Sequence, residues 1–214
     1  MSRQFAGYLT GVLKLGKGDR IAIMLPNVLQ YPIALFGALR AGLVVVNTNP
    51  MYTARELKHQ LEDSGAKAIV VLDNFAATLQ QVAAQTQVRH IVTTGIGDLL
   101  GFPKGALVNF VLKHVKKMVP AFHLPEAVRF RDALAQGAAH PLQPVTMDHD
   151  DIAFLQYTGG TTGVAKGAML THGNMIANML QAAAWIGTEL VKPGKEVIIT
   201  ALPLYHIFSL TANG

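Results

Sequence analysis

Along the first hundred positions, apolar residues gather in blocks separated by short polar breaks. From Phe5 to Leu15 they recur at helical spacing, and Gly16-Lys17-Gly18-Asp19 ends that helix in a turn. Arg20 to Leu25 is then a continuous apolar run closed by Pro26-Asn27, the signature of a buried strand. A second helix is expected over about Leu29 to Ala41, with Pro32 in its first turns, where a missing N–H costs least. Gly42 punctuates it and Leu43 to Val46 forms the next strand. Thr53-Ala54-Arg55-Glu56 is a capping box that starts a helix running to about Ser64, with Gly65 past its end. Strand Lys67–Leu72, helix Phe75–Gln85 and strand Val88–Thr93 continue the alternation. These β-branched strands lack polar alternation, so the fold class is α/β: alternating βα units in a largely parallel sheet covered by helices on both faces.

Residues 97–147 break the rhythm. Over Ala106 to Val119, Leu107, Val108, Val111, Leu112, Val115, Met118 and Val119 share one helical face, and Asn109, Lys113, Lys116 and Lys117 share the other. Such a basic amphipathic helix either packs on its own domain or lies against anionic lipid, in which case 97–125 is the membrane contact. Pro141, Pro144 and Asp148-His149-Asp150-Asp151 read as a linker. Beyond it come strand Ile152–Tyr157, a returning strand Lys166–Leu170, a helix from about Asn174 to Gly187 and strand Glu196–Leu202. The chain thus divides into 1–96, 97–147 and 148–214.

Its 214 residues make one large domain or two small ones; half are apolar and only 14% charged, enough for a sizeable core. The formal net charge of +5 suits an anionic substrate or a membrane surface. Nucleic-acid binding is not expected, because no dense Lys/Arg tract with interleaved aromatics is present. The absence of cysteine excludes disulfides and thiolate chemistry on this chain. Met1 to Tyr8 breaks up any apolar run, so no signal peptide is read there, and no stretch of about 18 apolar residues suggests a spanning helix. Asp148, Asp150 and Asp151 precede a strand and read as a solvated turn, so no metal ligands are predicted.

Chemistry concentrates between Leu155 and His172, where four glycines, four threonines and Lys166 sit between two apolar runs. Glycine lets backbone N–H groups turn inward into a concave anion site, threonine adds hydroxyl donors, and lysine adds a mobile positive charge. No carboxylate occurs from Thr158 to Thr171, so a di- or triphosphate is the simplest ligand that fits. The loop is not of Walker type, since Gly167 and not Ser or Thr follows Lys166. A plain hairpin turn is the alternative that glycines alone would leave open.

Tyr157 to Gly167 resembles the phosphate loop of the adenylate-forming superfamily, which includes acyl-CoA synthetases, luciferases and peptide-synthetase adenylation domains. The wider stretch Phe154–His172 resembles bacterial long-chain fatty acyl-CoA synthetases, as do Lys17–Arg20, Leu25–Asn27, Ala41–Pro50 and Ala201–Phe208. The resemblance implies that Tyr157, Thr158, Gly159, Gly160, Thr161, Thr162, Gly163, Val164, Ala165, Lys166, Gly167 and Ala168 hold the ATP phosphates. It also implies that Pro203-Leu204-Tyr205-His206-Ile207-Phe208 is the family's fourth core motif, with His206 at the acyl carboxylate. Lys166 and His206 are therefore the expected catalytic pair. His206 would orient the carboxylate and later donate to the carbonyl oxygen, with Tyr205 and Phe208 lining the site.

Two half-reactions are implied: a long-chain fatty-acid carboxylate attacks the α-phosphate of ATP, with Mg2+, to give acyl-AMP and pyrophosphate, and coenzyme A then displaces AMP. The implied location is the cytoplasm, with peripheral contact at the inner face of the membrane. Two alternatives stay open: a non-catalytic module that binds nucleotide, acyl chains or a partner, and an acyl-AMP ligase that loads a carrier protein. Family members continue beyond the fourth motif with an adenine and magnesium motif, a ribose-binding aspartate and a small C-terminal domain. None of these is in the sequence, so the chain reads as part of the large N-terminal domain and is expected not to turn over by itself.

Overall fold

The computed structural model describes residues 1–158, 165–186, 197 and 199–213, apart from the side chains of 186, 212 and 213. Its centre is a seven-stranded sheet. The strands are β1 (Arg20–Met24), β2 (Val44–Asn47), β3 (Ala68–Leu72), β4 (His90–Thr94), β5 (Val128–Arg129), β6 (Ile152–Thr158) and β7 (Lys166–Thr171), in spatial order β5-β4-β3-β1-β2-β6-β7. All pairs are parallel except β6 with β7, a hairpin.

Side chains of the central strands divide by the pleat. Ile21, Ile23, Val45 and Val70 face one core; Ala22, Met24, Val46, Ile69 and Val71 face the other. That two-sided burial is what their unbroken apolar runs demanded. The first core is covered by α1 (Ser2–Gly7), α2 (Gln30–Arg40) and α6 (Phe130–Ala138), with the Phe5 and Phe130 rings packed in a tilted pair 5.1 Å apart. The second is covered by α3 (Ala54–Ser64) and α4 (Ala76–Gln80) through Leu57, Leu61 and Leu79.

The Thr53 capping box forms as its residues require: the Thr53 hydroxyl accepts from the Glu56 N–H, and the Glu56 carboxylate accepts from the Thr53 N–H at 2.8 Å. Gly65 closes the helix in the left-handed region at φ 62°. Elsewhere the expectations need correction. The first helix widens into a π turn over Tyr8–Val12, where Gly11 lies against the His140 side chain. The helix expected over Phe75–Gln85 breaks after Gln80 into a short 3₁₀ turn at Ala83–Gln85; the Gln85 amide takes the freed Gln81 carbonyl at 3.1 Å. No strand forms over the described part of Glu196–Leu202, where Val197 and Ile199 stand 90% and 85% exposed. The alternation gives no warning of β5 and α6, which lie within 97–147 and bury Phe130, Ala133 and Leu134 in the first core.

The amphipathic helix is shorter than its pattern suggests: α5 spans Lys104–Phe110 and continues as a π turn over Val111–Val115. Asn109 faces the domain, accepting from the Gly97 N–H and donating to Asp98, each at 2.8 Å. Asp98 in turn receives Arg129 at 2.9 Å, and Arg129 also reaches Asp73. Asn109 is thus pinned inward, and Phe102, Leu107, Phe110, Val115 and Met118 are each more than half exposed.

Near the amino edge, the acidic run forms a turn in which Asp151 accepts from the Asp148 N–H and pairs with Lys17 at 2.6 Å. After β7 comes α7 (His172–Ile186), capped by reciprocal bonds between Thr171 and Asn174, and α8 (Ile207–Asn213) closes the described chain.

Two features of this packing can be tested by stability. Helices α1 and α6 meet backbone to backbone, and a Cβ on Gly137 would lie 1.9 Å from the Gln4 carbonyl oxygen. Gly137→Ala is expected to cost about 3 kcal/mol in urea unfolding. Gly16→Ala, with open space around it, should stay within about 0.5 kcal/mol of the parent.

The second feature is the Tyr157 hydroxyl, which donates to Asp63 at 2.5 Å. Burial, followed by the hydrogen bond and negative charge of Asp63, pushes this phenol well above its usual value of 10. A raised acid stays protonated in the fold while the unfolded chain ionises, so its stabilisation is present below about pH 10 and is lost as pH rises further. Tyr157→Phe should cost about 1 kcal/mol at pH 8, and the gap to the parent should narrow between pH 10 and 11. A gap independent of pH would show that the phenol is unperturbed.

Candidate functional site

The β6–β7 hairpin lies at the carboxyl edge of the sheet, where open α/β folds hold ligands. Its register pairs Gln156 with Ala168, Tyr157 with Gly167 and Thr158 with Lys166, so the last rung joins the two ends of the glycine-threonine loop. Thr158, Lys166 and Ala168 are exposed, and Lys166 makes no ion pair among the described residues. Gly159, Gly160, Thr161, Thr162, Gly163 and Val164 lie outside the described residues.

Two residues of α3 fasten this hairpin. The Ala165 carbonyl oxygen accepts from His59 Nε2 at 3.1 Å, which makes Nε2 the protonated ring nitrogen. Tyr157 turns its side chain toward α3 and away from solvent, packing its ring on Gly167, where a Cβ would sit 2.9 Å from the ring. Its hydroxyl is the one taken by Asp63. The stretch from Thr158 to Thr171 has no carboxylate of its own, yet the fold brings one beside Tyr157.

His206 sits in an exposed turn just before α8. Its ring Nδ1 accepts from the Phe208 N–H at 3.4 Å, and its carbonyl accepts from the Leu210 N–H. Main-chain ladders do not hold the approach to this turn; side chains do. Asn27, just past β1, donates to the Thr200 and Leu202 carbonyls at 3.1 and 2.9 Å and accepts from the Leu204 N–H at 2.8 Å. Those carbonyls are therefore engaged by an amide where a strand was expected. Ser209 donates to the Leu202 carbonyl at 2.9 Å.

A buried polar chain then ties the turn to the hairpin. Gln156 donates to the Tyr205 carbonyl at 3.0 Å and accepts from Asn47 Nδ2 at 3.1 Å. Asn47 Oδ1 accepts from the Tyr31 hydroxyl at 2.8 Å, and the same hydroxyl lies 2.9 Å from the Leu204 carbonyl. Tyr31, Asn47 and Gln156 are all buried, and Gln60 adds a bond to the Asn47 carbonyl at 2.9 Å. Beside this chain, a cleft of about 400 Å³ opens at the ends of β1 and β2, lined by Asn27, Pro50, Met51, Phe75, Pro203 and Tyr205. Phe208 is exposed.

The fold thus joins the strand that leads into the loop with the turn that carries His206, through residues the motifs do not single out. Asn27, Tyr31 and Asn47 have a common signal: polar atoms at or opposite the carboxyl ends of strands otherwise almost wholly apolar. A lone Asn47 after Val44-Val45-Val46 and a Gln156 amid Leu155 and Tyr157 are conspicuous in the sequence once that rule is applied. His59 gives no such sign, since histidine on a helix face needs no special partner.

Comparison with known proteins agrees with this architecture. The family model described as AMP-binding enzyme matches residues 1–213. A long-chain-fatty-acid–CoA ligase of Escherichia coli O157:H7 is 59% identical over 212 residues, covering 99% of this chain and 38% of that protein. The chain therefore spans well under half the length of that relative. Among solved structures, a long-chain-fatty-acid-CoA ligase from Archaeoglobus fulgidus superposes with a TM-score of 0.70 at 23% identity, over 99% of this chain and 35% of that one. The ATP-bound MatB of Rhodopseudomonas palustris gives a TM-score of 0.68 at 26% identity, over 98% of this chain and 36% of that one. With the β6–β7 hairpin tied to the His206 turn through Gln156, and the family model matched over residues 1–213, the chain belongs to the AMP-binding enzyme family.

Proposed function

We propose that this chain is the phosphate-loop portion of an AMP-forming long-chain fatty acid–CoA ligase. The observation that carries the reading is the Thr158–Lys166 rung, which joins the two ends of a glycine-threonine loop and sets there an exposed lysine with no ion pair among the described residues. Polyphosphate fits there: Lys166 supplies a cation, and the loop from Thr158 to Ala168 supplies amides and hydroxyls. His59 supports the loop's second end by tying the Ala165 carbonyl to α3. Phosphoryl chemistry of this kind asks mainly for positioning and charge stabilisation.

Among the described residues no group of three His, Asp or Glu side chains converges on a metal site. Magnesium is therefore read as arriving on ATP, and no step is assigned to a metal held by this chain. His206, exposed beside the cleft, is the group for the fatty-acid carboxylate and for the carbonyl oxygen when coenzyme A attacks.

The membrane contact rests on α5. An amphipathic helix that packed on its own domain would bury its whole apolar side, whereas here half-buried Asn109 anchors the helix and Leu107 and Phe110 are exposed. Lys104, Lys113, Lys116 and Lys117 stand exposed beside that apolar surface. This is the arrangement an anionic bilayer attracts and a spanning helix does not need. No helix among the described residues is long and apolar enough to cross a membrane. The corresponding location is the cytoplasm, at the inner face of the membrane.

Two measurements test these assignments. In a full-length ligase carrying this segment, Lys166→Ala should slow fatty-acid-dependent ATP–pyrophosphate exchange about 10²-fold. An unchanged rate would remove the loop from phosphate binding. Changing Lys113, Lys116 and Lys117 together to Gln should weaken co-sedimentation with phosphatidylglycerol vesicles by roughly tenfold or more at low salt. Equal sedimentation of parent and variant would dismiss the lipid contact.

A further inference from the structure

The buried chain between the hairpin and the His206 turn has a proton deficit. It runs from the Leu204 carbonyl through the Tyr31 hydroxyl, the Asn47 amide and the Gln156 amide to the Tyr205 carbonyl, with separations of 2.9, 2.8, 3.1 and 3.0 Å. Each of these four contacts needs one hydrogen between its heavy atoms. Both terminal carbonyls can only accept. The hydroxyl has one hydrogen, and each amide turns its NH₂ to one neighbour and its oxygen to the other. Three hydrogens therefore serve four contacts, whichever way the two amides are turned.

The consequence falls on the turn. With Gln156 donating to Tyr205, the single Tyr31 hydrogen is divided between Asn47 and Leu204. With both amides reversed, Leu204 is held fully and the Gln156 oxygen confronts the Tyr205 oxygen. Only turning Asn47 alone would hold both adjacent carbonyls at full strength, and it would set the Asn47 oxygen against the Gln156 oxygen, 3.1 Å apart, inside the buried chain. The observed arrangement gives the Tyr205 carbonyl, one peptide before His206, an undivided donor. On the other side of Gln156 in sequence, Tyr157 and Thr158 lead into the phosphate loop.

We infer that Gln156 is a positioning residue that fixes the His206 turn relative to the phosphate-loop strand, with Asn47 orienting its amide. The role of Gln156 rests on the reading of His206 as the carboxylate-facing group only for its catalytic consequence; the placement itself is measurable without catalysis.

Hydrogen–deuterium exchange on this chain supplies that measurement. The amides of Leu204, His206 and Leu210 donate within or onto the turn. Gln156→Met keeps the side-chain length and removes both bonds, so exchange in peptide 203–210 should rise about tenfold, the factor for about 1.4 kcal/mol, with residues 20–24 unchanged. Tyr31→Phe removes the divided hydrogen but leaves two contacts with two hydrogens, so its effect on 203–210 should be the smaller. Uniform acceleration across the sheet, no change at 203–210, or a larger effect from Tyr31→Phe would each overturn the assignment.

In a full-length ligase carrying this segment, Gln156→Met should lower kcat for thioester formation about tenfold, with KM for ATP within about twofold. Faster exchange at 203–210 with unaltered kcat would keep the positioning role and remove the catalytic reading of His206 instead.

Discussion

A strand buried on both faces has no place for a polar side chain except near its ends. In this sheet β1, β2 and β3 are apolar for almost their whole length, and that constraint organises the rest. Asn47 is the last residue of β2, Gln156 lies two residues from the end of β6, and Thr93 and Thr94 finish β4. Because the strands run parallel, these ends share one edge. The apolar interior thus sorts these polar groups to one rim, and Gln156 there ties β6 to the His206 turn.

Sorting alone would leave a loose rim, since loops there have few ladders to join. The fold answers with side-chain amides. Asn27 takes the place of a neighbouring strand for the segment before Leu204, and Gln156 and Asn47 bridge β2, β6 and the turn. Amide side chains suit this because each carries donor and acceptor without charge, so burial costs little once both are matched. A carboxylate or ammonium at Asn47 would have needed a counter-charge in the same confined space.

The parallel sheet, its two-sided cover and the α3 capping box were legible from periodicity and from Thr53-x-x-Glu56. So was the hairpin, because Lys166 to Leu170 follows a turn of glycines and threonines. What escaped has physical causes. The two-residue β5 is too short to show a period, and α6 is set by Phe130 docking on Phe5, a contact no local pattern encodes. Residues around Val197 to Leu202 have strand composition, but their carbonyls go to Asn27, so tertiary bonds override propensity. In α5 the periodicity left open which side faces the protein, and Asn109 bonded to Asp98 decides it.

The backbone contact between α1 and α6 joins positions that are 130 residues apart (Gly7 and Gly137). On a ribosome adding about 5–20 residues per second, α1 waits on the order of ten seconds before α6 exists to cover it. Through that interval the side of Phe5 that later meets Phe130 stays open to solvent or to a chaperone. A helix whose neighbour is synthesised so late carries a long-lived sticky surface on the nascent chain, and the order of assembly is written into a pair of glycines.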